Sequence, residues 1–130
     1  TRTPQVPTRF SGMWRKWYRD GTIMSRTSFF EGVQCGAEVT YHPNGKEWER
    51  AFWIMGMREG SYVLWFPSGG KGLEGTFHNG KKAGRWKRWN RSGTLEWEAW
   101  FVNGKEVSKR EYQKLNFFKK RLLKTSCVEE

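Results

Sequence analysis

The sequence predicts an all-β chain: a single-layered antiparallel sheet of four 24-residue β-hairpin repeats, with a C-terminal capping α-helix. Glycines recur at one fixed step, as Gly12, Gly36, Gly60 and Gly84, then Gly21, Gly45, Gly69 and Gly93, then Gly32, Gly56, Gly80 and Gly104. Two aromatic columns keep the same step: Trp17, Tyr41, Trp65 and Trp89, and Phe29, Trp53, Phe77 and Phe101. Hydrophobic residues make up 36% of the chain but aromatics 17%, with nine Trp and nine Phe. That balance suits a pleated, half-wet sheet better than a thick aliphatic core. Columns held without an insertion or deletion define a repeat protein, in which each hairpin buries itself only against its neighbours.

Residues 1–11, with Pro4 and Pro7 and no apolar period, read as an extended arm, ordered where Phe10 packs. The repeats span 12–107, as units 12–35, 36–59, 60–83 and 84–107. Each opens with a short aromatic strand that ends in a turn, YRDG, HPNG, FPSG or NRSG. Pro presets φ near −65° in such a turn, and the closing Gly accepts φ > 0, which gives a short hairpin loop with a Gly bulge. A second strand runs to Phe29, Trp53, Phe77 or Phe101 and closes on another Gly turn, as in Asn79-Gly80 and Asn103-Gly104. Alternation puts Trp97, Ala99 and Phe101 on one face. The residues in register with Ala99 are Thr27, Ala51 and Gly75, all small, so something bulky is expected over them, with the Trp17 column as candidate. Eight strands at about 4.8 Å each would span roughly 40 Å.

The columns resemble the MORN (membrane occupation and recognition nexus) repeat family in its bacterial variant form. The matching residues are Gly12-Met13-Trp14-Arg15-Lys16-Trp17, Gly84-Arg85-Trp86-Lys87-Arg88-Trp89, and the closing Asn79-Gly80-Lys81 and Asn103-Gly104-Lys105. The likeness covers residues 12–107 and departs at Glu38, where an aromatic is expected, and at Met55-Gly56-Met57. It implies MORN-like hairpins in a single-layered sheet and no catalysis. Many bacterial relatives carry an antitoxin label, while eukaryotic ones are linked to membranes and scaffolds, so the likeness alone does not set the function.

After the repeats, 108–130 read as a basic helix and tail. Ser108 with Glu111 three residues on is a capping box, and Tyr112, Leu115, Phe118 and Leu122 follow helical spacing, which predicts a helix over about 109–124. Its apolar face suits the open edge of the last hairpin. Its Lys114, Lys119, Lys120, Arg121 and Lys124 suit an anionic surface.

One domain's length and a net charge of +11 favour a polyanionic partner over plain solubility. Cys35 and Cys127 have no motif spacing, which leans towards a reducing, cytoplasmic setting. No apolar run reaches the roughly 18 residues of a membrane span. The chain does not start with Met, which suggests a removed leader or tag.

No catalytic constellation stands out. His42 and His78 sit in different columns and lack Cys or carboxylate neighbours at metal-ligand spacing. Gly69-Gly70-Lys71-Gly72 lacks the phosphate-loop pattern. Glu74 and Glu98, one unit apart, would be separated by about 9.6 Å, near the spacing of about 6.5–9.5 Å in inverting glycosidases. Arg26 and Arg50 fill the same column, so a ladder of cross-repeat ion pairs, Arg50 beside Glu74, is the simpler expectation. Neither catalysis, a cofactor, a metal nor a small-molecule substrate is expected.

A surface is the better candidate. The face expected opposite the core carries Trp14, Lys16, Tyr18, Tyr62, Leu64, Phe66, Trp86, Arg88 and Asn90, with Arg26, Trp48, Arg50, Phe52 and Trp100 from the second strands. Interleaved aromatics and cations suit protein hot spots and nucleic-acid stacking alike. Acids Glu38, Glu47, Glu49 and Glu59 gather in the second unit, and the positive pole lies at the other end. The expected contact residues are Lys81, Lys82, Arg85, Trp86, Lys87, Arg88, Arg91, Lys114, Lys119, Lys120, Arg121 and Lys124. The expected role is a non-enzymatic adaptor for an acidic partner, a protein first. Nucleic acid, a cognate toxin and an anionic membrane are the alternatives.

Overall fold

The structure is a computed structural model that describes residues 5–118, and side chains as far as Leu115. Ten strands form one antiparallel sheet: β1 (Gly12–Trp17), β2 (Ile23–Phe30), β3 (Val33–Tyr41), β4 (Glu47–Ile54), β5 (Met57–Arg58), β6 (Gly60–Trp65), β7 (Lys71–His78), β8 (Lys81–Trp89), β9 (Leu95–Val102) and β10 (Lys105–Val107). Strands pair in chain order, except that β5 and β6 both pair with β4. The single-layered hairpin sheet is as the sequence predicts, with two short strands more than expected.

The helix α1 (Lys109–Phe118) follows and packs against β9. Ser108 Oγ accepts the Glu111 N–H at 3.0 Å, so the expected cap is made. The rest of the expected helix lies outside the described residues, together with Lys119, Lys120, Arg121 and Lys124. No helix among the described residues is long and apolar enough to cross a membrane. At the other end the arm is anchored as expected: Phe10 packs edge-on against Trp14 and Phe29, with centroids 5.6 and 6.2 Å apart.

The turn columns do two kinds of work. Gly21, Gly45, Gly69 and Gly93 close four-residue turns, and the pairing register shifts just before each one, which is the expected Gly bulge. The loops at 31–32, 55–56, 79–80 and 103–104 hold both central residues at positive φ: Glu31 52°, Met55 49°, Asn79 51° and Asn103 50°, each before a Gly. This is the twist-matched two-residue hairpin loop, which favours Asn-Gly. Past these loops β3 and β8 run on through Gly36 and Gly84. There β3 advances four residues, Gln34 to Glu38, while β2 advances two, from Thr27 to Phe29. A bulge thus sits inside the strand, where the sequence put a unit boundary.

Residues directly opposite share a face, and the register lays one row of side chains across the sheet. Trp14 faces Thr27, Thr27 faces Glu38, and Glu38 faces Ala51. Beyond them Tyr62 faces Gly75, and Trp86 faces Ala99. Large and small side chains alternate. Ala51, Tyr62, Trp86, Ala99 and Phe101 are the buried core, with Leu64, Leu73, Phe77 and Trp97 against it. The small column is covered, as expected, but by the Trp14 column rather than the Trp17 column. Trp86 is 1% exposed and Trp17 57%. The register sets Trp86, not Trp89, against Ala99, and Trp14, not Trp17, against Thr27; Trp17 lies past the register shift, opposite Ile23. Tyr62 and Trp86, expected on the outer face, are therefore core residues.

Cys35 is also buried and is disulfide-bonded. Cysteine usage therefore no longer argues for a reducing compartment; Cys127 lies outside the described residues.

A Cβ on Gly75 would lie 2.0 Å from Trp86 Cδ2. Gly75→Ala is expected to cost about 2 kcal/mol by overpacking, read from urea midpoints. Met55→Asn relieves a left-handed Met on an exposed loop, and a gain of about 1 kcal/mol is expected in the same measurement.

Candidate partner-binding surface

The basic run of β8 does not form one patch, because a strand sends alternate side chains to opposite faces. Lys82, Trp86 and Arg88 share the core side with their cross-strand partners Phe77, Ala99 and Trp97. Arg85 and Lys87 lie on the other side, opposite Trp100 and Glu98. Lys81 and Lys114 are exposed. Trp86, one of the expected contact residues, is buried and donates its Nε1–H to the Thr76 carbonyl at 3.1 Å, so it carries the scaffold and not the surface.

What unites the cations is that they lie over rings. Lys82 Nζ is 5.0 Å from the Trp86 ring centroid and 5.1 Å from that of Phe101. Lys87 lies over Trp89 at 5.7 Å, Arg88 over Trp97 at 5.7 Å, and Arg91 over Phe66 at 5.8 Å. Trp100 is flanked by two cations, Arg85 at 5.9 Å and Lys109 at 5.6 Å. A ring face attracts a cation, by about 0.5–1 kcal/mol at exposed sites, without cancelling its charge. Sequence reasoning missed Lys109 because its ring belongs to another element.

Units two and three treat their cations differently. Arg50 pairs with Glu47 at 2.8 Å and Lys71 with Glu74 at 3.0 Å, the same two repeat positions with the charges exchanged. The expected Arg50–Glu74 contact is not made, since Val63 stands between them in the register. Lys87 in turn stands between Glu74 and Glu98, whose own partner is Arg85. The two carboxylates are thus spaced by a cation.

The column Phe10, Gln34, Arg58, Lys82 repeats one contact with changing chemistry. Phe10 lies on Trp14 and Phe29; Arg58 lies over Tyr62 and Phe77, at 5.1 and 5.4 Å; Lys82 lies over Trp86 and Phe101. Each backbone carbonyl of the column accepts the N–H of a loop glycine, from Gly32 to Phe10 through Gly104 to Lys82. Arg58 is also 3.9 Å from Glu49, which accepts a hydrogen bond from the Tyr62 hydroxyl.

The histidines are structural in one case and paired in the other. His42 Nε2 lies 2.9 Å from the Trp65 carbonyl and repeats the Tyr18 hydroxyl bond to the Tyr41 carbonyl one unit earlier. A carbonyl only accepts, so His42 carries its proton on Nε2. His78, expected without a carboxylate neighbour, has Glu59 at 2.9 Å from its Nδ1, and Glu59 also accepts the Asn79 N–H at 2.9 Å. Nothing in the spacing of residues 59 and 78 signals that contact.

No family model matches the chain, and no curated protein matches it. The fold and surface define a β-hairpin repeat protein whose ring-seated cations begin at Arg26 and Arg58 and are densest towards the C-terminal end.

Burial, then the hydrogen bond to Glu49, pushes the Tyr62 phenol well above its ordinary 10.0. The fold holds the neutral phenol, so this stability is complete below about pH 10 and is lost as pH rises from there towards the folded pKa. Tyr62→Phe is expected to cost about 1 kcal/mol near neutrality. Its urea midpoint should then fall less steeply than wild type above about pH 10.

Proposed function

We propose that the chain is a non-catalytic binding module whose basic, aromatic C-terminal half takes an acidic macromolecular partner, a protein first. One observation carries the reading: Lys82, Arg88, Arg91 and Lys109 are each seated over a ring and pair with no carboxylate among the described residues. A seated cation keeps its charge while losing part of its freedom, so less entropy remains to be lost when an anion arrives. Aromatic and Arg side chains set together are also the composition of interface hot spots. The basic tail residues Lys119, Lys120, Arg121 and Lys124 extend the same charge along the sequence. The MORN likeness belongs to the same proposal and is supported by the hairpin repeat and the motif residues.

Cations on rings also suit a nucleic-acid strand, which makes that the second reading. Wild-type protein is expected to retain an acidic protein at about 50 mM salt and release it by about 200 mM, without shifting DNA or RNA in a gel. Combining Arg88→Gln, Arg91→Gln and Lys109→Gln should reduce retention at least about tenfold with little change in the unfolding midpoint. A nucleic-acid shift with a steep salt slope would replace the protein reading, and unchanged retention by the triple variant would remove the surface.

A further inference from the structure

Lys82 repeats Arg58 with the acid taken away. Both cations lie over an aromatic pair, Arg58 over Tyr62 and Phe77 and Lys82 over Trp86 and Phe101. Arg58 has Glu49 at 3.9 Å. One unit on, the position of Glu49 is held by Leu73, and Lys82 forms no ion pair among the described residues. At the start of the chain the same column holds Phe10, so an apolar ring also fits this place. A cation with no partner thus sits where packing accepts a phenyl ring.

Beside Lys82, the sheet and α1 enclose a cavity of about 450 Å³, lined also by His78, Phe101, Asn103, Tyr112 and Leu115. That is a size typical of small-ligand sites, roughly 300–1,000 Å³. Tyr112 bounds it from the helix side: a Cβ added to Gly84 would come within 3.5 Å of the Tyr112 hydroxyl. Glu59 takes Nδ1 of His78 and leaves the other ring nitrogen for a ligand. Among the described residues, no acidic side chain lines the cavity.

We propose that this cavity is a carboxylate pocket, seating an acidic group carried on an apolar body, such as the C-terminal carboxylate of a partner's aromatic residue, against Lys82. This rests on the reading of the C-terminal half as the contact region and names its anchor. A carboxylate is favoured over a phosphate because the lining offers one lysine ammonium and no guanidinium fork, which matches a single charge. The apolar walls take the body that carries it.

Titrating the ¹⁵N-labelled full chain with N-acetylphenylalanine, its primary amide and phenyl phosphate tests this by NMR. Saturable shifts at the Gly84, Asn103 and Tyr112 amides are expected with the carboxylate, and at least about tenfold weaker binding of the other two probes. Lys82→Gln should lose at least about tenfold in affinity for the carboxylate, the share of one charge-assisted contact. Lys82→Phe, which copies Phe10, should lose it equally and keep the wild-type unfolding midpoint. If Lys82→Phe does not fold, Lys82→Gln decides alone. Equal binding of the amide, tighter binding of phenyl phosphate, unchanged affinity in Lys82→Gln, or no shift with any probe would each overturn the pocket. The broader surface has a separate readout. With the pocket overturned, it still stands if the acidic partner is retained in low salt and lost in the Arg88, Arg91 and Lys109 triple variant.

Discussion

A sheet with no second layer has to build its core from its own side chains, and here the indole of Trp86 does so by lying over Gly75. The contact is close enough that one added carbon would lie 2.0 Å from a ring carbon, well inside van der Waals contact. The same arrangement crosses the sheet as a row in which each large side chain of a first strand stands beside a small one of a second strand. Only an alternation of size lets rings lie flat in one layer, since two large neighbours would collide and two small ones would leave the face wet. The row sets which face is apolar, and the rings it holds, Trp86 and Phe101 above all, are the ones on which Lys82 rests. Glu38 is the one acid in the row, and it is accommodated by accepting the Trp53 Nε1–H at 2.8 Å.

Charge is laid over this scaffold unevenly. In units two and three, three of the cations are met by carboxylates: Arg50 by Glu47, Arg58 by Glu49 and Lys71 by Glu74. Such exposed pairs contribute about 0–1 kcal/mol each, so their larger effect is to neutralise the surface. In unit four rings lie beneath the cations, and Arg85 is the one cation of β8 with a carboxylate among the described residues. Rings anchor a side chain about as well as a surface ion pair does, and they leave its charge unspent for a partner. Ring seats for cations are thus densest towards the C-terminal end of the array.

Much of this was legible in the sequence, for reasons visible at particular residues. The repeat step, the Gly93 and Gly104 turns and the Ser108 cap are local signals, read from one to five neighbours. Which aromatic column turns inward was not legible. Trp14 and Trp17 are both aromatic and lie in the same short strand, and the register alone chooses which of them stands against Thr27. The smallness of Thr27, Ala51, Gly75 and Ala99 signalled that something large lay above, but not from which position. The Glu59–His78 pair and the seat of Lys109 over Trp100 join different elements across the sheet, and no spacing rule reaches that far.

The dependence of the core on size alternation is tested most directly by a double-mutant cycle between Gly75 and Trp86, read by urea unfolding. If the indole lies on the glycine, Gly75→Ala costs less in a Trp86→Val background than in wild type, with a coupling of about 1–2 kcal/mol. Equal costs in the two backgrounds would mean that Gly75 is not shaped by Trp86, and the large–small row would not be what holds the sheet together.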